Sequence, residues 1–183
     1  MSLRSNTDNA EIQSALANLT GLELGAAHRA ADMRMFHFGT MRPAAPSIIP
    51  SRKDKPRGMV GDFALHIQCP WRIETENEIL TGRSDLWEPV QESDEFRYDE
   101  WDYEKDGNKQ DDVITEFFSS NEKAVVESVE LTLHGQFVLL LTHGIRIAVF
   151  PSGAVAEDWR LFRPGIDEAH FVVAGGRVDR DET

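Results

Sequence analysis

The sequence is short of cysteine, of basic residues and of long apolar runs, and each shortage closes off a class of protein. Cys69 is the single cysteine in 183 residues, so neither an internal disulfide nor a multi-cysteine zinc site can form. It lies in Leu65-His66-Ile67-Gln68-Cys69-Pro70-Trp71, an apolar, strand-like setting in which a free thiol reads as a small buried hydrophobe. Lys and Arg number 19 against 32 Asp and Glu, for a net charge of −13. Such a surface repels phosphates and anionic lipid headgroups, which argues against nucleic-acid and membrane partners. The longest aliphatic run, Phe137 to Leu141, is far below the ~20 residues of a membrane-spanning helix. Met1-Ser2-Leu3-Arg4-Ser5-Asn6 does not lead into the apolar stretch of a signal peptide. A soluble, cytoplasmic protein is the expectation. Gly-x-Ser-x-Gly, phosphate-loop and dinucleotide fingerprints are missing too, so motifs assign no catalytic residue, no cofactor and no metal.

What is present suffices for a core. The chain is 40% hydrophobic, with ten Phe and four Trp, which argues against global disorder. At roughly 150 residues per domain it reads as a single domain over 1–183. Asp8-Asn9-Ala10-Glu11 has capping-box spacing. Ile12, Ala15, Leu16 and Leu19 follow at helical intervals with Gly21 behind them, which predicts an amphipathic helix over 8–19. Leu22-Glu23-Leu24 and Arg34 to Phe38 read as strands. Residues 40–58 hold Pro43, Pro46, Pro50 and Pro56 with Arg52, Lys53, Lys55 and Arg57, a basic, proline-rich surface loop.

From Val60 the alternation of Phe63, Leu65 and Ile67 with Ala64, His66 and Gln68 marks a half-buried strand. Trp71-Arg72-Ile73 continues it, Glu76-Asn77 turns, and Ile79-Leu80 returns, so 60–82 is expected as a strand pair. In the last third, 124–133, 136–141 and 145–150 are strand-like runs joined by His134-Gly135 and Thr142-His143-Gly144, the pattern of an antiparallel meander. Residues 155–162 are expected as a short helix or turn, and His170 to Val173 as a final strand before Gly175-Gly176 and a polar tail. Two short helices and about eight strands without βαβ alternation predict an α+β fold with a mainly antiparallel sheet.

Residues 88–112 differ in character. They carry eleven acids against three bases, yet also Phe96, Tyr98, Trp101 and Tyr103. Aromatic content that high is unusual in a solvating tail, and an ordered acidic excursion is expected, strand-like over 96–103. Asp111-Asp112 then open a second helix, where carboxylates suit the positive end of the dipole, with Val113, Ile114, Phe117 and Phe118 as its core face. Within the excursion, Asp102, Glu104 and Asp106 with Gly107 match the start of an EF-hand loop, but Val113 stands where the bidentate Glu belongs. The plainer reading is an acidic turn at Asp106-Gly107-Asn108.

The six histidines, His28, His37, His66, His134, His143 and His170, form no metal-binding pair in sequence. His134 and His143 precede hairpin glycines and are expected at one end of the sheet, as turn residues or as part of a His/carboxylate site. Ser84-Asp85 point opposite ways on an extended chain and read as the start of a short turn. Arg72 and Arg160 each adjoin a Trp and suit either an internal carboxylate clamp or an anion-binding pair.

Glu157-Asp158-Trp159-Arg160-Leu161-Phe162, His170-Phe171-Val172-Val173 and Asp112 to Phe118 ahead of a meander resemble the C-terminal part of small bacterial proteins of unknown function. So does Phe150-Pro151 at the end of the meander, and, more weakly, Trp71-Arg72 with Ser84-Asp85-Leu86. Some such proteins resemble immunity proteins of toxin systems. Those immunity proteins are cytosolic and often acidic, and the resemblance implies a fold type and a bacterial origin but brings no catalytic residues. Together these readings favour a non-catalytic binding module that engages a basic protein through Asp99, Glu100, Trp101, Asp102, Tyr103 and Glu104. A small enzyme using His134, His143 and carboxylates of 99–112, and a ligand-sensing domain, are the alternatives.

Overall fold

The computed structural model describes residues 3–45, 58–90, 96–120 and 122–180. The chain runs through α1 (Leu3–Ala17), β1 (Leu24–Ala30), β2 (Met33–Phe38), β3 (Arg42–Pro43), β4 (Met59–Val60), β5 (Phe63–Ile67), β6 (Trp71–Glu74), β7 (Ile79–Gly82), α2 (Lys109–Ser119), β8 (Val126–Leu131), β9 (Phe137–Leu141), β10 (Arg146–Val149), β11 (Glu157–Phe162), β12 (Phe171–Ala174) and β13 (Arg177–Asp179), with short 3₁₀ turns at Arg83–Trp87 and Thr142–Gly144. One sheet has the order β1-β2-β5-β11-β12-β13, a second β7-β6-β10-β9-β8, and β3-β4 form a short ladder. Every pairing is antiparallel. The fold is α+β and sheet-rich, as expected. Among the described residues no helix is long and apolar enough to cross a membrane.

The two large sheets face each other across one core. Period-two alternation sends Phe36, Leu65, Ile67, Trp159 and Leu161 inward from the first sheet and Trp71, Ile73, Phe137, Leu139 and Ile147 from the second. Edge-to-face contacts of Phe137 with Trp159 (5.2 Å) and Phe36 with Trp71 (5.5 Å) join the layers. The helices cover the flanks: α1 lies against β8 and β13, and α2 against β7 and β1.

The helix expected over 8–19 starts earlier, at Leu3, so Asp8 is no cap. Its carboxylate instead accepts a hydrogen bond from Arg180, as does Glu11, pinning the helix to the segment after β13. Ile12, Leu16 and Leu19 are fully buried, as the spacing predicts. β1 runs on to Ala30 although Gly25-Ala26-Ala27 lacks strand-forming side chains; pairing with β2 across a tight turn at Ala31 (φ 52) extends it. Residues 60–82 hold the end of β4 and three further strands, β5, β6 and β7, rather than a pair. β5 and β6 belong to different sheets, and the chain turns between them where Gln68 and Cys69 both donate to the Asp158 carbonyl.

Residues 157–162 are not a helix but β11, an inner strand with Trp159 and Leu161 inward and Arg160 and Phe162 outward. The segment after Val173 is not a polar tail. Gly175 (φ 56) and Gly176 (φ 70) make the two-residue turn that left-handed residues favour, and β13 returns.

Candidate functional site

Two places on the molecule concentrate chemistry outside the core: the acidic lobe between β7 and α2, and the outer face of the six-stranded sheet.

The lobe leaves β7 through the 3₁₀ turn, which Asp85 caps by accepting from Thr81 Oγ1 and Gly82 N at 3.0 Å. It re-enters at α2, whose N-cap is Asn108; its side chain accepts from Asp111 N at 2.8 Å. Residues 96–103, expected as strand-like, are turns and irregular chain instead. They are ordered by aromatic contacts instead. Phe96, Tyr98 and Trp101 touch one another, Tyr103 meets Trp87 edge-on at 4.8 Å, and Arg29 lies over the Tyr103 ring. Both tyrosines of the chain are in this lobe.

Its carboxylates divide into two groups. Asp102 accepts from Glu104 N and Lys105 Nζ, and Asp106 accepts from Asp102 N, so the calcium-loop-like acids close the turn on itself. The Lys105 bond, foremost, holds the Asp102 carboxyl below its ordinary pKa. Asp99 and Glu100 face solvent. Trp101 is half-buried and donates Nε1–H to the Gly107 carbonyl at 3.1 Å. A shallow cleft of about 520 Å³ opens here, with Val90, Phe96 and Trp101 as apolar wall and Glu100 and Asp106 beside them.

Behind the lobe, Asp111 binds two arginines. Arg29 reaches it at 2.8 Å and Arg34 at 2.7 Å. Burial raises the Asp111 carboxyl, but hydrogen bonds from Arg29, Asn108 and Arg34 outweigh it and hold the group at about 2. Arg34 is buried to 2% exposure, stacks over Trp71 and also donates to Gln110. It anchors α2 over the core.

Arg72 and Arg160 are not brought together. Arg72, on the outer face of the five-stranded sheet, pairs with Glu74 and lies over Phe150. Arg160, outward on the other sheet, is held by Glu157 and touches His170 Nδ1 at 3.3 Å. His134 (φ 59) and His143 (φ 63) occupy left-handed turns. They lie before and after β9, hence at opposite ends of the sheet and not at one end, because consecutive turns of a meander alternate sides. No shared His134–His143 site exists. Burial pushes the Cys69 thiol up to about 12, which makes it inert. The basic residues Arg52, Lys53, Lys55 and Arg57 lie outside the described residues.

The second place was not legible in the sequence. The registers His28↔Met35↔His66↔Arg160 and Ala26↔His37↔Ala64↔Phe162 put three histidines side by side on the outer face of the six-stranded sheet. Each lies at an outward position of its strand, but only the pairing reveals that they converge. The β3–β4 ladder covers them. His28 Nε2 lies 2.8 Å from the Met59 carbonyl, and Gly61 N donates to His37 Nδ1 at 3.4 Å. Arg42 bonds Asp62 and the Pro164 carbonyl. Burial foremost, and then the neighbouring basic side chains, lowers His37 and His66 to about 4, so both imidazoles are neutral at pH 7. Beneath the ladder lies a cleft of about 600 Å³. Among the described residues no group of three or more His, Cys, Asp or Glu is placed to hold a metal ion. The chain matches no protein-family model, no curated protein and no solved structure.

Proposed function

We propose that this protein is a non-catalytic binding module whose acidic lobe engages a basic protein. The observation that carries the reading is the cleft in which Val90, Phe96 and Trp101 stand beside Glu100 and Asp106. An arginine or lysine of a partner has the matching form, with an apolar stem for the wall, a cationic head for the carboxylates and a ring face for cation–π contact. Exposed Trp87 (52%), Tyr98 (56%) and Val90 (43%) extend the apolar contact around it. The surrounding negative charge steers a basic surface inward before contact. Occlusion of a basic groove, as the resemblance to immunity proteins implies, is one use of such a lobe.

The test is titration of the protein with an oligo-arginine peptide, read by tryptophan fluorescence and calorimetry. Wild-type protein should bind with strong salt dependence. The double variant Glu100→Gln/Asp106→Asn should bind at least about tenfold more weakly. Equal affinity in the two proteins would assign the binding to diffuse net charge and reject the lobe as the site.

A further inference from the structure

We propose that the cleft between the β3–β4 ladder and the outer face of the six-stranded sheet is a binding site for a small uncharged phenol, an aromatic ring bearing one hydroxyl. It is separate from the acidic lobe and does not depend on the reading given to that lobe.

The first argument is charge. The chain has 32 acids, yet among the described residues that line this cleft there is no Asp or Glu. Arg42, the one Arg or Lys among the described lining residues, is paired with Asp62 just outside. Burial keeps the His37 and His66 rings neutral. Among the described lining residues a cation finds no counter-charge, and an anion competes with Asp62 for Arg42. An uncharged guest meets neither cost.

The second is shape and lining. A volume of about 600 Å³ lies within the roughly 300–1,000 Å³ of small-molecule sites. Met35, Met59, Val60 and Phe162 supply apolar and polarizable surface suited to a ring. At one end His66 already meets Phe162 edge-on at 4.7 Å, and Phe162 stacks on His170 at 4.1 Å, so an aromatic guest extends a row of rings already begun. Ala26 and Ala64 on either side of His37 keep the sheet surface low there.

The third is a hydrogen-bond donor that His37 holds beside the His28 ring. A carbonyl only accepts, so His28 turns a protonated Nε2 toward Met59. An amide N–H only donates, so the His37 Nδ1 that meets Gly61 is unprotonated and its Nε2 carries the proton. Neither His28 Nδ1 nor His37 Nε2 has another partner among the described residues. The two rings are 5.1 Å apart. His37 therefore offers a donor beside the His28 ring, and the oxygen of a phenol can accept from it. The two rings do not offer two lone pairs, which a metal ion would require.

The experiment follows the imidazole resonances of the full chain by NMR at pH 7 during titration with 4-methylphenol, toluene, benzoate and benzylamine. 4-Methylphenol should shift the His28 and His37 signals saturably, with a dissociation constant in about the millimolar range expected of so small a ligand. Toluene should bind at least about fivefold more weakly, since it leaves the His37 N–H unpaired, and benzylamine should not bind. His37→Phe, which keeps a ring but removes the donor, should bring 4-methylphenol down to the toluene level, with the amide spectrum reporting that the sheet is intact. No saturable shift with 4-methylphenol, equal binding of toluene, or tighter binding of benzoate would each overturn the proposal. These comparisons stand on the wild-type protein alone if the variant does not fold.

Discussion

The indole of Trp159 donates its N–H to the Gly135 carbonyl at 3.0 Å, so a side chain of β11 in one sheet fastens the turn that precedes β9 in the other. The ring is fully buried, edge-on to Phe137 and beside Phe171. Trp159→Ala should lower stability by about 3–5 kcal/mol, as large-to-small core changes do. Trp159→Phe keeps most of the ring but orphans the carbonyl, and should cost about 1–3 kcal/mol. Urea denaturation decides the matter, and a Trp159→Ala midpoint equal to that of the wild type would mean that the sheets are joined without this residue.

Much of this architecture is legible from periodicity. The meander β8–β10, the core face of α1 and the strand at 63–67 follow from alternation or helical spacing in the residues themselves. Three features escape it. β1 is held by its partner β2, not by its own Gly-Ala-Ala side chains. β11 carries the same alternation as other strands, but a loop before it and charged residues at its start favour a helix locally. The histidine face depends on register, because His28, His37 and His66 are distant in sequence and meet only when β1, β2 and β5 pair. The acidic lobe was visible as composition. Its conformation was not, since ring contacts among Phe96, Tyr98 and Trp101 rather than a backbone ladder hold it.

Asp111→Asn should be costly out of proportion to its surface position. It withdraws the charge facing Arg34, a guanidinium with almost no access to water. Asp111 is itself 36% exposed and Arg34 keeps its bond to Gln110, so the cost is below that of a fully buried pair, about 1–3 kcal/mol. The pH dependence has a definite sign. The native carboxyl titrates at about 2 and the unfolded one near 3.9. Its contribution is therefore complete above about pH 4 and is lost as pH falls through about 2. Denaturation curves across this window should be flatter in Asp111→Asn than in wild type. An unchanged slope would show that the acid sensitivity lies elsewhere.

The buried histidines act in a higher window. His37 and His66 titrate at about 4 in the native state and near 6.5 when unfolded. Between these values the unfolded chain binds more protons, so stability is complete above about pH 6.5 and declines as pH falls toward 4. His37→Asn places an amide oxygen near the Nδ1 position, able to accept from Gly61 N without titrating. That variant should lose part of the decline in melting temperature between pH 6.5 and 4. A wild-type pH profile in His37→Asn would mean that His37 is solvated and free to charge.

Steering and anchoring by the acidic lobe are separable in kinetics. Charge acts before contact and is screened beyond about 8 Å at physiological salt, so it governs the association rate. Asp99→Asn, Glu100→Gln, Asp102→Asn and Glu104→Gln together should slow association with a basic partner and flatten its salt dependence, with less effect on dissociation. Aromatic anchors act after contact and govern dissociation. Trp101→Ala is a poor probe of anchoring, because Trp101 also holds the Gly107 carbonyl and the Phe96–Tyr98 cluster, and its loss disturbs the lobe itself. Val90→Ala, on the apolar wall of the cleft, 43% exposed and outside the ring cluster, removes contact surface with less disturbance and should speed dissociation while leaving the salt slope of association intact. Stopped-flow measurements against an oligo-arginine peptide distinguish the two effects. If the four-site variant associates at the wild-type rate and salt slope, the lobe is a solubilising face and its cleft is not where a basic partner docks.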